Sequence, residues 1–158
     1  MVILGVDPGI GRMGWGVISY TNGKTKTIDY GCFETSASGP LEYRLTSLRQ
    51  EMERLIEKYK PLRAGIESIF FNTNTKTAMT VGQARGVIIE TLAEKGVMVD
   101  SYTPLQVKLA ITGYGKADKA QLGVMIKMLL GLDEIPKPDD TADALAIALA
   151  CAFTKKFV

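Results

Sequence analysis

The stretch from Ile3 to Tyr20, ILGVDPGIGRMGWGVISY, constrains the fold more than any other part of the chain. It opens with an apolar strand, Val2 to Val6, and Asp7 stands where that strand ends. Pro8 and Gly9 impose a turn, since proline fixes φ and glycine tolerates positive φ. Gly11, Gly14 and Gly16 thin the returning chain, and Trp15 to Tyr20 reads as a second strand antiparallel to the first. A carboxylate buried without a partner costs several kcal/mol or is forced neutral. Asp7 is therefore expected at an open strand end, facing a positive group such as a metal ion. An Asp-Pro-Gly hairpin turn accounts for the same residues, and this stretch alone weighs the two readings evenly.

What the composition lacks narrows the chemistry. The chain has no histidine, which removes Ser-His-Asp catalysis, histidine bases and histidine metal sites together. Cys32 and Cys151 are isolated and read as small buried hydrophobes in a reducing compartment. A metal site here must be built from oxygen ligands, which select hard cations such as Mg²⁺ or Mn²⁺. The 158 residues suit one domain, residues 1–158, with a full core. No apolar run approaches a membrane span and no export signal opens the chain, so a cytoplasmic protein is expected. A net charge of +2 says little, because a nucleic-acid binder need only be locally basic.

Further along, Asn22-Gly23 predicts a hairpin turn into a third strand, Thr25 to Glu34. Pro40 starts an amphipathic helix with Leu41, Leu45, Leu48, Met52, Leu55, Ile56 and Tyr59 on its apolar face. Arg63 to Ile69 reads as a strand with Gly65 and Glu67 on one face. Strand, helix, strand gives a parallel crossover, which sets Glu67 beside Asp7. Phe70 and Phe71 follow, either as core or as a stacking surface; an aromatic on an unstacked base contributes ~1–3 kcal/mol.

The next helix, Lys76 to Lys95, carries Ala78, Gly82 and Gly86 at intervals of four. Glycine inside a helix costs about 1 kcal/mol against alanine. Close backbone approach, by the sheet or by the same helix in a second copy, is the physical reason for it. A fifth strand is expected at Val97 to Tyr102, then short helices over Leu105 to Ile111 and Ala117 to Leu130. Lys108, Lys116 and Lys119 gather around the intervening glycine-containing loop, as solvated charges or as a phosphate-facing set. The last helix runs from about Asp139 to Phe153, with Asp140 and Asp143 on one face. Acids near a helix N-terminus also complement its dipole, by ~0.3–1 kcal/mol. That explains Asp140 better than Asp143, which precedes a nearly all-apolar run.

Asp7, Glu67, Asp140 and Asp143 thus converge at one end of an α/β sheet. Four such carboxylates repel unless cations lie between them, and two divalent ions balance them. Paired metals are a known arrangement for phosphodiester displacement. The element order, with acids at these places, is similar to the ribonuclease H fold: a five-stranded mixed sheet, three strands antiparallel and then parallel, flanked by helices.

The motifs GVDPGIGRMGWG (5–16), IESIFF (66–71), VGQARGV (81–87), TPLQVKLAITGYGKADKAQ (103–121) and PDDTADALAIALA (138–150) resemble the RuvC family of Holliday-junction endonucleases. The resemblance implies a homodimer that cuts opposed strands of a four-way DNA junction and leaves ligatable 5′-phosphate ends. It implies two Mg²⁺ ions per active site, with Mn²⁺ as a substitute, and cooperation with the RuvA–RuvB branch-migration complex. By the same resemblance Asp7, Glu67, Asp140 and Asp143 are the metal-binding catalytic acids, and Phe70 is the junction-stacking aromatic. Lys108 and Lys119 match basic residues at the active-site rim, and the helix of Gly82 and Gly86 matches the dimer-forming helix. Lys116, in the same lysine cluster, and Lys76, in place of the charge missing at Thr73, are read as further DNA contacts. Asp139 adds a fifth acid, and Thr73 stands where the family often has a basic residue. The rival readings are a ribonuclease H-like nuclease acting on RNA, a nucleotide-binding module of the actin and sugar-kinase type, and a non-catalytic DNA-binding subunit.

Overall fold

The computed structural model describes residues 1–69 and 75–154. Three strands, β1 (Val2–Asp7), β2 (Arg12–Thr21) and β3 (Lys24–Glu34), form an antiparallel meander. The β2–β3 turn has Asn22 and Gly23 at φ 52° and 79°, the paired positive φ that matches the twist of a two-residue hairpin. Helix α1 (Leu41–Tyr59) then crosses to β4 (Arg63–Glu67), which lies parallel to β1. Helix α2 (Thr75–Glu94) crosses to β5 (Met98–Tyr102), parallel to β4. The sheet order is β3-β2-β1-β4-β5, the expected mixed sheet. Helices α3 (Pro104–Thr112), α4 (Lys119–Leu130) and α5 (Asp139–Phe153) complete the described chain.

Strand alternation sorts the core into two layers. Leu4, Val6, Met13, Trp15, Val17, Ala64 and Ile66 face α1 and α2, meeting Leu48, Met52, Leu55, Ala84, Ile88 and Leu92. Ile3, Ile18 and Tyr102 face the other way, toward α3, α4 and α5. Asp7 and Glu67 follow the odd-numbered positions Ile3, Gly5 and Gly65 onto the α5 side. From Ala144 to Ala152 every residue of α5 is buried, because this helix is enclosed by the sheet and by α3 and α4.

The seating of α5 explains the glycines of the opening motif. A Cβ on Gly14 would overlap the carbonyl oxygen of Asp140. One on Gly5 would overlap the backbone of Ala144, and one on Gly16 would come within 2.6 Å of Leu145 Cδ2. On β4, a Cβ at Gly65 would lie 2.9 Å from Ile147 Cγ2. These glycines form a shallow track into which an alanine-rich helix sinks.

Some boundaries differ from the sequence reading. Strand β2 starts at Arg12 instead of Trp15, since Gly14 weakens the strand signal yet pairs with Asp7 in register. Strand β4 ends at Glu67 instead of Ile69: beyond it Ser68 makes one bond to Tyr102 and leaves the sheet. Helix α4 begins at Lys119 instead of Ala117, because Asp118 and Gln121 close a capping box there.

Replacing Gly14 by alanine should destabilise the fold by about 1–3 kcal/mol, the usual range for overpacking. Urea unfolding measures it; an unchanged midpoint would mean that α5 does not seat on this glycine.

Candidate active site

Asp7 is the last residue of β1 and lies opposite Gly14, so the track that admits α5 also brings Asp140 against β1. Glu67 is the last residue of the neighbouring parallel strand. The register pairs Val6 with Ile66, which leaves the two acids side by side where the ladder ends. Their carboxyls are hydrogen-bonded to each other.

Burial, then Glu67, Asp143 and Asp140, push the Asp7 carboxyl up to about 8. Burial and Asp143 also raise Glu67. Asp143 is raised by burial, against the opposing pull of the Lys119 ammonium. Both carboxyls are thus pushed toward their protonated forms, as burial among like charges does in the absence of a cation.

Asp140 and Asp139 have different surroundings. Asp140 is 32% exposed and lies 3.6 Å from an Arg12 guanidinium nitrogen. Asp139 is 77% exposed and binds Lys119 Nζ at 2.9 Å. That bond holds the Asp139 carboxyl below its ordinary value. Asp143 is 33% exposed and lies 3.8 Å from the same ammonium. Asp140 and Asp143, but not Asp139, act on Asp7.

Among the described residues no three acidic or cysteine side chains close into a ready-made cation cage. Arg12 and Lys119 take two of the acids, Asp140 and Asp143, as ion-pair partners. The donor set nevertheless suits a hard cation: clustered carboxylate oxygens, partly buried, with no nitrogen or thiolate among them.

A cleft of about 330 Å³ opens beside the acids, lined by Glu67, Asp143, Lys108, Lys119, Pro104 and Val107. A shallower recess joins it at Lys119 and Asp143 and is bordered by Arg12, Lys137 and Asp140. A third runs from Glu67 past Ser68 and Ile69 to Thr77 and Ala78 at the start of α2. Together they make a groove with acids at its centre and cations on its rim, the distribution a polyphosphate strand needs.

The structure thus brings Asp7, Glu67, Asp140, Asp143, Lys108 and Lys119 together. Lys116 is exposed on the loop before α4, outside these recesses, and Lys76 is exposed in the first turn of α2. Phe70, Phe71 and Thr73 lie outside the described residues. Gly86 opens onto solvent, where an added Cβ would meet nothing within 4 Å, whereas one on Gly82 would lie 3.7 Å from Ile69. Met79, Gln83, Gly86, Glu90 and Ala93 make an exposed stripe along α2. The sequence reading gave Arg12 no role. Its position at the start of β2, one residue beyond the turn that follows Asp7, was the available signal.

The family model described as crossover junction endodeoxyribonuclease RuvC matches residues 3–151. A crossover junction endodeoxyribonuclease RuvC of Desulfitobacterium hafniense is 51% identical over 152 residues, covering 96% of this chain and 92% of that protein. One of Caldicellulosiruptor saccharolyticus is 53% identical over 150 residues, 94% of this chain and 90% of that protein. The structure of Thermus thermophilus RuvC in complex with Holliday junction substrate superposes with a TM-score of 0.93 at 36% identity, covering 97% of this chain and 93% of that one. The yeast mitochondrial Holliday junction resolvase Ydc2 shares the fold, with a TM-score of 0.69 at 18% identity, over 94% of this chain and 76% of that one.

The raised Asp7 carboxyl sets a pH dependence. A group that binds its proton more tightly when folded stabilises the fold at low pH and loses that contribution as pH rises through its folded value. In EDTA, Asp7→Asn should therefore raise Tm more at pH 9 than at pH 5. Equal Tm shifts at both values would separate Asp7 from the other acids.

Proposed function

The chain belongs to the RuvC family of crossover junction endodeoxyribonucleases, with a ribonuclease H-like fold, and from that we propose a Holliday-junction resolvase whose active site is the acid cluster at the ends of β1, β4 and α5. The observation that carries this reading is the placement of Asp7 and Glu67 at adjoining strand ends, with Asp140 and Asp143 of α5 brought to them by the contact at Gly14. Part-buried carboxyls crowded in this way take up divalent cations readily, because a cation relieves their repulsion. The family's chemistry is divalent-metal-dependent, and two Mg²⁺ ions per site, with Mn²⁺ as a substitute, match the donor set.

Asp7, Glu67, Asp140 and Asp143 would hold the metal. When bound, it supplies an activated water and stabilises the leaving oxygen of the cut phosphodiester. The chain's own residues do the rest. Release of Asp140 from Arg12 and of Asp143 from Lys119 frees two carboxylates for the metal, while Arg12 and Lys119 stay on the rim beside Glu34 and Asp139, where phosphate oxygens can reach them. Lys108 and Lys119 line the cleft beside Glu67, where they counter the charge of the backbone being cut. Lys76 and Lys116 extend the basic rim, and Phe70 stacks on a junction base.

Symmetric cleavage needs two such sites. The α2 stripe around Gly86 is the proposed dimer face, since a second copy explains a helix glycine whose Cβ position no described residue approaches within 4 Å. The four-way junction, the RuvA–RuvB complex and a cytoplasmic setting follow from the family reading. Among the described residues no helix is long and apolar enough to cross a membrane.

Two outcomes are expected. Asp7→Asn should still bind a synthetic four-way junction but lose Mg²⁺-dependent cleavage; retained cutting would remove Asp7 from the site. Linear duplex and an RNA–DNA hybrid should remain uncut in the same assay. Gly86→Phe should sediment as a monomer, and a persisting dimer would place the interface elsewhere.

A further inference from the structure

Arg85 projects from α2 toward the sheet, on the side opposite α5 and the acids. Its Nε donates to the backbone carbonyl of Glu67 at 3.0 Å. Its Nη2 donates to Ser101 Oγ at 2.6 Å. One guanidinium thus fastens the end of β4 to β5 from the α2 face.

That carbonyl is a sensitive point. Pairing between β1 and β4 stops at Val6 and Ile66, so Glu67 lies one residue beyond the last β1 partner. On the other side Glu67 pairs with Tyr102, and Ser68 N–H donates to the Tyr102 carbonyl at 2.8 Å. Beyond Ser68 the chain leaves the sheet. A terminal residue with a ladder on one side can rotate its peptide plane, and rotation swings the side chain. The Ser68 N–H bond holds one edge of the Glu67–Ser68 peptide plane, and Arg85 holds the opposite edge by its carbonyl, so the plane is pinned on the side where β1 offers no partner. Both acceptors are uncharged, and the planar fork fixes their relative direction as an ammonium could not.

We propose that Arg85 is a positioning residue that aims the Glu67 carboxylate from the opposite face of the sheet, tying the active-site strand to the helix that carries the dimer stripe. This rests on the reading of Glu67 as a metal-holding acid. Arg85 touches neither metal nor substrate; it acts through the Glu67 backbone. Partners that orient metal ligands in this way typically contribute about 10- to 100-fold in metal affinity or activity.

The test compares Arg85→Gln, Arg85→Lys, Ser101→Ala and Glu67→Gln with the parent dimer. The readouts are the Mg²⁺ midpoint of the rise in Tm without DNA, the single-turnover rate on a four-way junction, junction affinity in EDTA, and sedimentation. Arg85→Gln should shift the Mg²⁺ midpoint upward and slow cleavage, each by about 10-fold or more, while remaining a dimer that binds the junction normally. Arg85→Lys should recover part of both, and Ser101→Ala should shift the midpoint slightly in the same direction. If Arg85→Gln does not fold, the exposed Ser101→Ala decides, and an unshifted midpoint there overturns the proposal. An unchanged midpoint in Arg85→Gln, or a loss confined to junction affinity or to dimer assembly, also overturns it. Glu67→Gln separates the two readings: if it retains Mg²⁺ response and cleavage, the active-site reading fails. If it loses both while Arg85→Gln behaves as the parent, only the role of Arg85 fails.

Discussion

The close seating of α5 on the sheet is the constraint on which the rest depends. Where Gly5, Gly14, Gly16 and Gly65 leave the sheet bare, the helix backbone enters space that side chains normally fill. The helix answers with alanines, so its contact is backbone-close and its position along the sheet is fixed by shape. Depth is what matters for chemistry. With the peptide of Asp140 against Gly14, the first turns of α5 lie beside the end of β1, and Asp140 and Asp143 come within electrostatic reach of Asp7. A helix held further out would leave its acids, Asp140 and Asp143, apart from Asp7 and Glu67 on the strands.

Packing energy therefore holds together charges that repel. The fold answers that repulsion in two ways. Asp7 and Glu67 are pushed toward their protonated forms, while Arg12 and Lys119 pair with the acids of α5. Both answers are reversible, since protons on crowded carboxyls and partly exposed ion pairs of small net stability yield to a stronger cation. The same Lys119 belongs to the capped first turn of α4, so the rim of the cleft is as well placed as its floor.

The two faces of the sheet carry different work. The α5 face holds the acids and the cleft. The other face carries α1 and α2, joined by Arg49 of α1 to Glu90 and Glu94 of α2. The buried side chains Ala84, Ile88 and Leu92 seat α2 on the core and so turn the stripe around Gly86 outward. Arg85 reaches back from this side to the carbonyl of Glu67, so the helix of the proposed dimer face is tied to the strand that carries Glu67.

Much was legible in the chain because periodicity and punctuation are local. The alternation of Arg63 to Glu67, the 3–4 spacing in α1, the Asn22-Gly23 turn and the helix from Asp139 to Phe153 all follow from φ preference and apolar spacing. The absence of histidine fixed the site as an oxygen-donor site before any geometry was known. Other features needed the fold. The start of β2 was obscured because its glycines answer to a helix more than a hundred residues away. The separate surroundings of Asp139 and Asp140, adjacent in the chain, depend on which way each faces on α5 and on where Lys119 arrives from α4. The bonds from Arg12 to Asp140 and from Arg85 to Glu67 join residues whose distance along the chain carries no signal of contact. The sequence by itself determined the order and type of the elements, the oxygen-donor character of the acidic residues and the family, since these reside in residue type and spacing. Only the tertiary structure decided the ends of β2 and β4, which cations pair with which acids and where the Arg85 guanidinium lands, because those depend on directions in space that a linear pattern does not encode.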